Sequence, residues 1–513
     1  MLKVVLLSYV FMLLCENEAA KILAYYPTPS ISHQVVYRPL TLELAKRGHE
    51  VVVFTPDPMY PKGGGPANLK EIDLKDISYP IWKDLLEILK HKMDLSLFDH
   101  LMKYLVKLVE EQMTSTEVHN ILNDKSIKFD LVIVEVFVES ILGLSHHYKA
   151  PIIQFGSLAV NGAILQNFGT PIHPLIYPSP FHERVYNLTV SEKITEVFKD
   201  VVFEKLSTDY QDLHNGLAER IFGPDVPSIK ELKSNVDMLF LGVHPFWDSN
   251  RPVPPNVIYL GGIHQKPQNE LPEDLQNYLD SSKNGVIYVS FGTNVDPGMF
   301  FADKIKTFVN VFSKLPYDVL WKWNQDELPG RTDNIKISKW LPQTDLLRHP
   351  KTKLFITQGG LQSTDEAINS GTPLVGIPVF SDQKFNVEQS VHFGLGVKVD
   401  LDTMTEEELR DAINTVLQDD SFRQNVEKLR VIMNDQPQTP LERAVWWTEY
   451  VIRHKGAKHL RSPAANMSLT EYYELKLVGY LILGLVLILS LVIYLVYILY
   501  SFIFGNSKKL KKN

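Results

Sequence analysis

The stretch from Trp340 to Gln383 constrains the fold more than any other part of this chain. Two apolar runs, KLFIT at 353–357 and PLVGIP at 373–378, are too short for buried helices, and a polar segment of helical length separates them. Short apolar runs alternating with helical segments build parallel βαβ units. The first run ends in Thr357-Gln358-Gly359-Gly360 and opens at once into a helix through Asp365, Glu366 and Ala367. Two glycines there let a ligand approach the main chain, and the free N–H groups of a first helical turn make an anion site. A phosphate or diphosphate is the natural guest. The second run ends in Pro378-Val379-Phe380-Ser381-Asp382-Gln383, which puts an acid and an amide on the sheet edge where doubly wound folds bind ligands.

A similar alternation opens the chain. KILAYY at 21–26 reads as a strand, 32–47 as a helix and EVVVFT at 50–55 as the next strand; FDLVIVEV at 129–136 and PIIQFG at 151–156 supply two more. The segment 70–123 has a helical period and is expected to cover a pocket. Proline and glycine cluster at 169–180, a loop expected at the membrane or the pocket mouth. A second series begins with GVIYVSF at 285–291 and continues to about Asp402, after a proline-rich linker from Pro245 to Pro272.

The chain has 513 residues, and 45% hydrophobic content supports two or three large cores. Its net charge is −8, and the four lysines of the tail leave the rest at −12. An acidic body with no other basic run argues against nucleic-acid binding. Lys3, the apolar run to Leu14 and the small Ala19-Ala20 read as a signal peptide over 1–20. The only cysteine, Cys15, would leave with it, so disulfides contribute nothing to the mature chain. From Leu477 to Ser507 no residue is charged, and 477–504 is long enough for one transmembrane helix. The cytosolic tail, 505–513, carries Lys509 and Lys511 at the spacing of a retrieval signal for the endoplasmic reticulum, so the bulk is expected in its lumen. Of two acceptor sequons, Asn187-Leu188-Thr189 is the one expected to carry a glycan; Asn466 lies too near the membrane.

The stretch from Trp340 to Gln383 resembles the donor-binding signature of the membrane-bound UDP-glycosyltransferases, the family that includes UDP-glucuronosyl- and UDP-glucosyltransferases. The wording FITQGGLQS is closest to the insect branch, and the resemblance runs from Lys21 to the lysine tail. It implies an α/β fold of two Rossmann-like domains facing a cleft, the GT-B type. The acceptor domain would span 21–265 and the UDP-sugar domain 266–436, with a crossover helix and juxtamembrane segment at 437–475. His33, an ordinary first-turn residue by position alone, matches the family's catalytic histidine. Glu135 matches its orienting acid, one methylene longer than the aspartate of many vertebrate members. Trp340 and Gln343 match the uracil platform. Gln358 stands where most relatives have a phosphate-binding histidine, so Gly360, Gln362 and Ser363 are expected to share that load. Glu366 matches the acid on the ribose, and Asp382 with Gln383 the pair that holds sugar hydroxyls. Ser290 and Thr293, in the SFGT turn, are expected to donate to the phosphates.

Asp400-Leu401-Asp402 is the only D-x-D, a metal grip in other sugar transferases. Here it precedes a helix that Asp402 or Thr403 could cap, so neither metal nor other cofactor is expected. The sequence thus points to an inverting transfer of a hexose, glucose favoured, from a UDP-sugar to a hydroxyl of a small lipophilic acceptor, with His33 as general base. A UDP-sugar epimerase or hydrolase on the same scaffold, and a silent lipophile-binding relative, are the alternatives. Acceptor identity stays open, as does the oligomeric state, homo-oligomers included.

Overall fold

The computed structural model describes residues 19–89, 95–300 and 302–505. Apart from Ala19, Ala20 and Gly505, the signal segment and the lysine tail read from the sequence lie outside the described residues. Among the described residues, thirteen strands form two sheets. The first holds β1 (Lys21–Tyr25), β2 (Glu50–Thr55), β3 (Leu69–Asp73), β4 (Leu131–Glu135), β5 (Ile152–Gly156), β6 (Met238–Leu241) and β7 (Val257–Tyr259). All its pairings are parallel, in the order β3-β2-β1-β4-β5-β6-β7. The second holds β8 (Val286–Ser290), β9 (Asp318–Lys322), β10 (Ile335–Ser338), β11 (Thr352–Thr357), β12 (Leu374–Gly376) and β13 (Gly396–Lys398). It is also all-parallel, in the order β10-β9-β8-β11-β12-β13.

In each sheet the chain works outward from the first strand and then returns to its other side, so β1/β4 and β8/β11 are the two topological switch points. The crevice at the carboxyl ends of such a strand pair is where open α/β sheets hold ligands. Central strands of parallel sheets are covered on both faces, and β1 illustrates this: Leu23 and Tyr25 enter one apolar core, Ile22 and Ala24 the other. The helix Pro440–His454, started by a Thr439–Glu442 capping box, returns to the first sheet. There Ala444, Val445 and Val451 pack with Ile22, Val36 and Leu40.

Two segments differ from the sequence reading. Residues 69–73 are an edge strand rather than part of a helical cover, which starts only with the helices Lys75–Leu89 and Leu95–Met113. A five-residue strand with one buried side chain is too short to break the helical period around it. The proline-rich stretch from Pro245 is also not all linker. It contains a short 3-10 turn over Pro245–Asp248 and the edge strand β7, which tolerates prolines on its approach because its outer N–H groups have no sheet partner.

Arg251 fastens the 169–180 loop. It is buried, pairs with Asp248 at 3.2 Å, and donates to the carbonyls of Pro171 (2.9 Å) and Tyr177 (3.2 Å). Burial pushes the Asp248 carboxyl up, against the pull of Arg251 and of the Tyr259 hydroxyl. On the helix Leu361–Ser370, where it meets the Gly262 N–H, Asp365 is buried with one carboxyl oxygen unpartnered among the described residues. Burial first, and the neighbouring Glu366 second, raise it from 3.8 to about 8, while the Gly262 N–H opposes the shift.

Arg251→Met is expected to cost about 3–5 kcal/mol, because it strands a buried carboxylate. Denaturant unfolding measures the loss, and limited proteolysis should cut within 171–177 first. Asp365 stays protonated in the folded chain but ionises when unfolded above its ordinary value. The unfolded state therefore holds fewer protons, and stability falls as pH rises from about 4 to about 8. Asp365→Asn should lessen that fall, read from unfolding free energies at pH 5 and pH 8.

Candidate active site

The site starts with a buried carboxylate. Glu135 is the last residue of β4 and is 0% exposed. One oxygen accepts the Thr28 N–H at 3.0 Å; the other accepts the Tyr37 hydroxyl at 3.0 Å and faces His33 Nδ1 at 3.0 Å. Burial and then the Glu135 charge push the Tyr37 phenol well above its ordinary value, so it remains a donor. Ser157 Oγ, just past β5, lies 2.9 Å from the same His33 Nδ1. With the Nδ1 hydrogen donated to the Glu135 carboxylate, Nε2 is the nitrogen with a free lone pair. The His33 side chain is 18% exposed and lines the cleft, its ring edge-on to Phe137 with centroids 5.9 Å apart.

The facing wall comes from the other switch point. The β8–β11 register sets Ser290 beside Thr357, so the turns after these strands lie together. Gly292 has φ +76, and a methyl there would overlap the Gln358 amide nitrogen. Gln358 is buried, bonds Thr357 Oγ1 through its carbonyl and fills the space between Gly292 and Gly360. Gly359 has φ +83 and leaves room for Val387 of the next helix. Gly360 then caps the helix Leu361–Ser370 with no side chain on its N–H groups. Thr293 lines the same wall.

Farther along, Gln343 donates to Ser363 Oγ (3.0 Å) and Glu366 Oε2 (2.9 Å) and accepts from the Tyr288 hydroxyl (3.1 Å). Its side chain therefore orients the acid, rather than standing free for a base edge. Burial raises the Glu366 carboxyl, opposed by Gln343 and Thr344. Trp340 is 67% exposed at the rim, an indole face open to a flat ligand. At the opposite end Asp382 precedes the helix Gln383–His392 and accepts from Asn386 at 2.7 Å. Burial raises its carboxyl, and Asn386 and the His33 charge lower it, so the acid lies within electrostatic reach of the imidazole. Gln383 accepts the N–H groups of Val379 (2.9 Å) and Phe380 (3.0 Å), and Ser381 between them holds a left-handed φ of +60.

These groups line one cavity of about 1170 Å³, and its first-domain half is walled by Trp82, Leu101, Met102, Leu105, Phe198 and Phe203. That exceeds the upper end, about 1,000 Å³, of ordinary single-ligand pockets. All eleven donor residues expected from the sequence line it with His33, while Glu135 lies behind the histidine. Gln362 lines it too, but its side chain donates across the cleft to the Ser157 carbonyl at 2.9 Å. Neither Asp402 nor Thr403 caps the following helix: Thr405 does, in a capping box with Glu408, and Asp400 accepts the Asp402 N–H. Thr403 has the same spacing to Glu406, but the helix begins at Glu406, so Thr405 is the hydroxyl that precedes its first turn. Asn187 is exposed in a left-handed turn of the chain.

Three site residues escaped the sequence reading. Tyr37 sits four residues after His33 on the same helix face, a spacing that could have flagged it. Ser157 carried no signal beyond its place after a strand. Lys322, at the carboxyl end of β9, donates to the Gly292 carbonyl at 2.5 Å and lines the cavity beside the two glycine turns. A lysine ending a buried strand was the available clue.

Comparison with known proteins agrees with this geometry. The family described as UDP-glucoronosyl and UDP-glucosyl transferase matches residues 20–510. The ecdysteroid UDP-glucosyltransferase of Spodoptera littoralis nuclear polyhedrosis virus is 34% identical, over 92% of this chain and 95% of its own. UDP-glycosyltransferase UGT5 of Dactylopius coccus is 31% identical, over 96% of this chain and 95% of its own. A UDP-glucose: anthocyanidin 3-O-glucosyltransferase solved in complex with UDP shares the fold, with a TM-score of 0.59 at 16% identity, over 84% of this chain and 99% of that one. The glycotransferase of kitacinnamycin does so with a TM-score of 0.57 at 17% identity, over 86% and 100%. The chain belongs to the UDP-glucuronosyl and UDP-glucosyl transferase family: it is a UDP-glycosyltransferase of GT-B fold that takes a UDP-sugar as donor.

Proposed function

We propose that this enzyme transfers glucose from UDP-glucose to a hydroxyl of a small lipophilic acceptor, with inversion, and that His33 is the general base. The observation that carries the reading is the Glu135–His33 contact at 3.0 Å in the same cleft as the Gly359-Gly360 turn. His33 Nε2 takes the proton of the acceptor hydroxyl as its oxygen attacks the anomeric carbon. The bond from that carbon to the diphosphate breaks from the opposite face, giving a β-glycoside and UDP. Glu135 fixes the ring through Nδ1 and stabilises the imidazolium that forms. The departing negative charge meets the uncapped helix Leu361–Ser370, the Ser290–Thr293 turn and the Lys322 ammonium. No metal or other cofactor enters this scheme.

Charge at the sugar end supports glucose over glucuronate. Asp382 and Glu183 line that end, and Lys384 beside it is paired with Glu183 at 3.0 Å. The cavity's other lysines on the acceptor side, Lys199 and Lys233, are paired with Glu196 and Glu139. A sugar carboxylate would find acids at that end, where among the described residues the neighbouring Lys384 is already paired. The names of the viral relatives, ecdysteroid UDP-glucosyltransferases, support the same donor and a steroid-like acceptor. The helix Leu475–Phe504, 30 residues with an 18-residue window of mean hydropathy 3.0, is long and apolar enough to cross a bilayer. With the signal segment and lysine tail, it supports a single-pass protein of the endoplasmic reticulum with its catalytic domains, and a glycan on Asn187, in the lumen.

His33→Ala should lower kcat by about 10²–10⁴-fold while leaving UDP affinity, read by calorimetry, within about twofold. Full turnover in that variant would overturn the base assignment. With one acceptor, UDP-glucose should outperform UDP-glucuronate in kcat/KM, and Asp382→Asn should narrow the gap.

A further inference from the structure

The acceptor half of the cavity contains one polar group that the transfer does not use. His214, on the helix Gln211–Phe222, is only 4% exposed and lines the cavity, and among the described residues its Nδ1 meets no hydrogen-bond partner. Nδ1 is buried without a partner, and an unpartnered buried nitrogen costs about 1–3 kcal/mol unless a ligand or water answers it. Beside it, Lys233 and Glu139 form an ion pair at 2.5 Å that also lines the cavity, with side chains 12% and 19% exposed. Glu139 and Lys233 are the charges that act on His214, whereas Glu135 and Asp382 are not among them. His214 is carried by a different helix from His33. The cavity that both imidazoles line is walled largely by apolar side chains, among them Phe137, Leu158, Ile164, Leu101, Met102 and Leu105. One greasy chamber thus holds both the proposed base and this polar cluster.

We propose that His214, with the Lys233–Glu139 pair, is a second polar anchor that binds a hydroxyl or oxo group at the end of the acceptor remote from the oxygen being glycosylated. The proposal rests on the transferase reading only for which acceptor oxygen meets His33. Burial lowers the His214 imidazole below its ordinary value, which keeps it neutral, with one nitrogen to donate and one to accept. Such a group suits a hydroxyl, which does both, or a ketone facing the donor nitrogen. The favoured substrate class is a rigid, elongated lipophile with oxygen at both ends. A site built to bond a substrate hydroxyl discriminates strongly against the analogue lacking it, because its own polar groups are then left unpaired.

The test uses the full-length enzyme in detergent, UDP-glucose and two steroid phenols of one skeleton, with and without a hydroxyl on the ring farthest from the phenol. The wild-type enzyme should favour the dihydroxy compound in kcat/KM by at least about tenfold. His214→Phe should bring that ratio to about one while leaving kcat/KM for the monohydroxy compound and UDP affinity within about twofold. His214→Gln, which keeps a donor and an acceptor, should retain part of the preference. A wild-type ratio near one, or a preference that survives His214→Phe, overturns the anchor. If neither compound is glycosylated, the steroid-like acceptor reading fails by itself, and calorimetric binding of the same pair decides the anchor. Tighter binding of the dihydroxy compound, lost in His214→Phe, supports it, and equal binding overturns it.

Discussion

A carboxylate with no access to water holds the His33 side of the cleft together. A buried carboxylate needs donors on its lone pairs or it destabilises the fold by several kcal/mol. Glu135 collects them from three places in the sequence: the Thr28 amide after β1, the Tyr37 hydroxyl one helical turn beyond His33, and His33 itself. Each contact that satisfies the acid also fixes the path of the β1 loop and the following helix. The same bonds that lower the cost of burial therefore aim the imidazole into the cleft. The extra methylene of glutamate, relative to aspartate, finds room because Tyr37 and Thr28 close around its two oxygens.

The second domain is held against this arrangement by polar contacts around an aromatic seam. Trp247 donates to Asn386 at 3.1 Å and stacks near Phe393, Tyr186 stacks on His392 and bonds Gln389, and Asn294 donates to Ser30 at 2.8 Å. Tryptophan and tyrosine suit such a boundary because they offer broad apolar area with one polar end. The apolar core under the first sheet takes in Leu361, Ile368 and Phe385 of the second domain. The cleft is thus a gap between two surfaces already packed together elsewhere.

How much of this was legible from sequence depended on how local the cause was. The strands β1, β2, β4, β5, β11 and β12 stood out because buried parallel strands are continuous apolar runs. The switch-point turns stood out because a glycine pair between strand and helix is a local signature. What stayed hidden was set by partners distant in sequence. The engagement of Gln343 with Glu366 and Ser363, of Gln362 with Ser157, and of Lys322 with Gly292 depends on which loops the two sheets bring together. The strand Leu69–Asp73 was missed for the same reason: pairing with β2 makes it a strand, while its own sequence has little to distinguish it.

One of those hidden contacts links the two halves of the reaction. Gln362 lies in the first turn of the helix Leu361–Ser370, and its amide donates to the Ser157 carbonyl. The hydroxyl of the same Ser157 lies 2.9 Å from His33 Nδ1. His264, buried where the chain passes between domains, reaches the Gln362 carbonyl at 3.2 Å, so the main chain at Gln362 is held as well. A shift of that helix would move Ser157, whose hydroxyl lies against the His33 ring. On the proposed mechanism, seating the diphosphate and aiming the imidazole are then a single mechanical problem. Glu135 alone could keep the ring in place, while the Ser157 contact, like the Asn294–Ser30 bond, ties the His33 segment to the second domain.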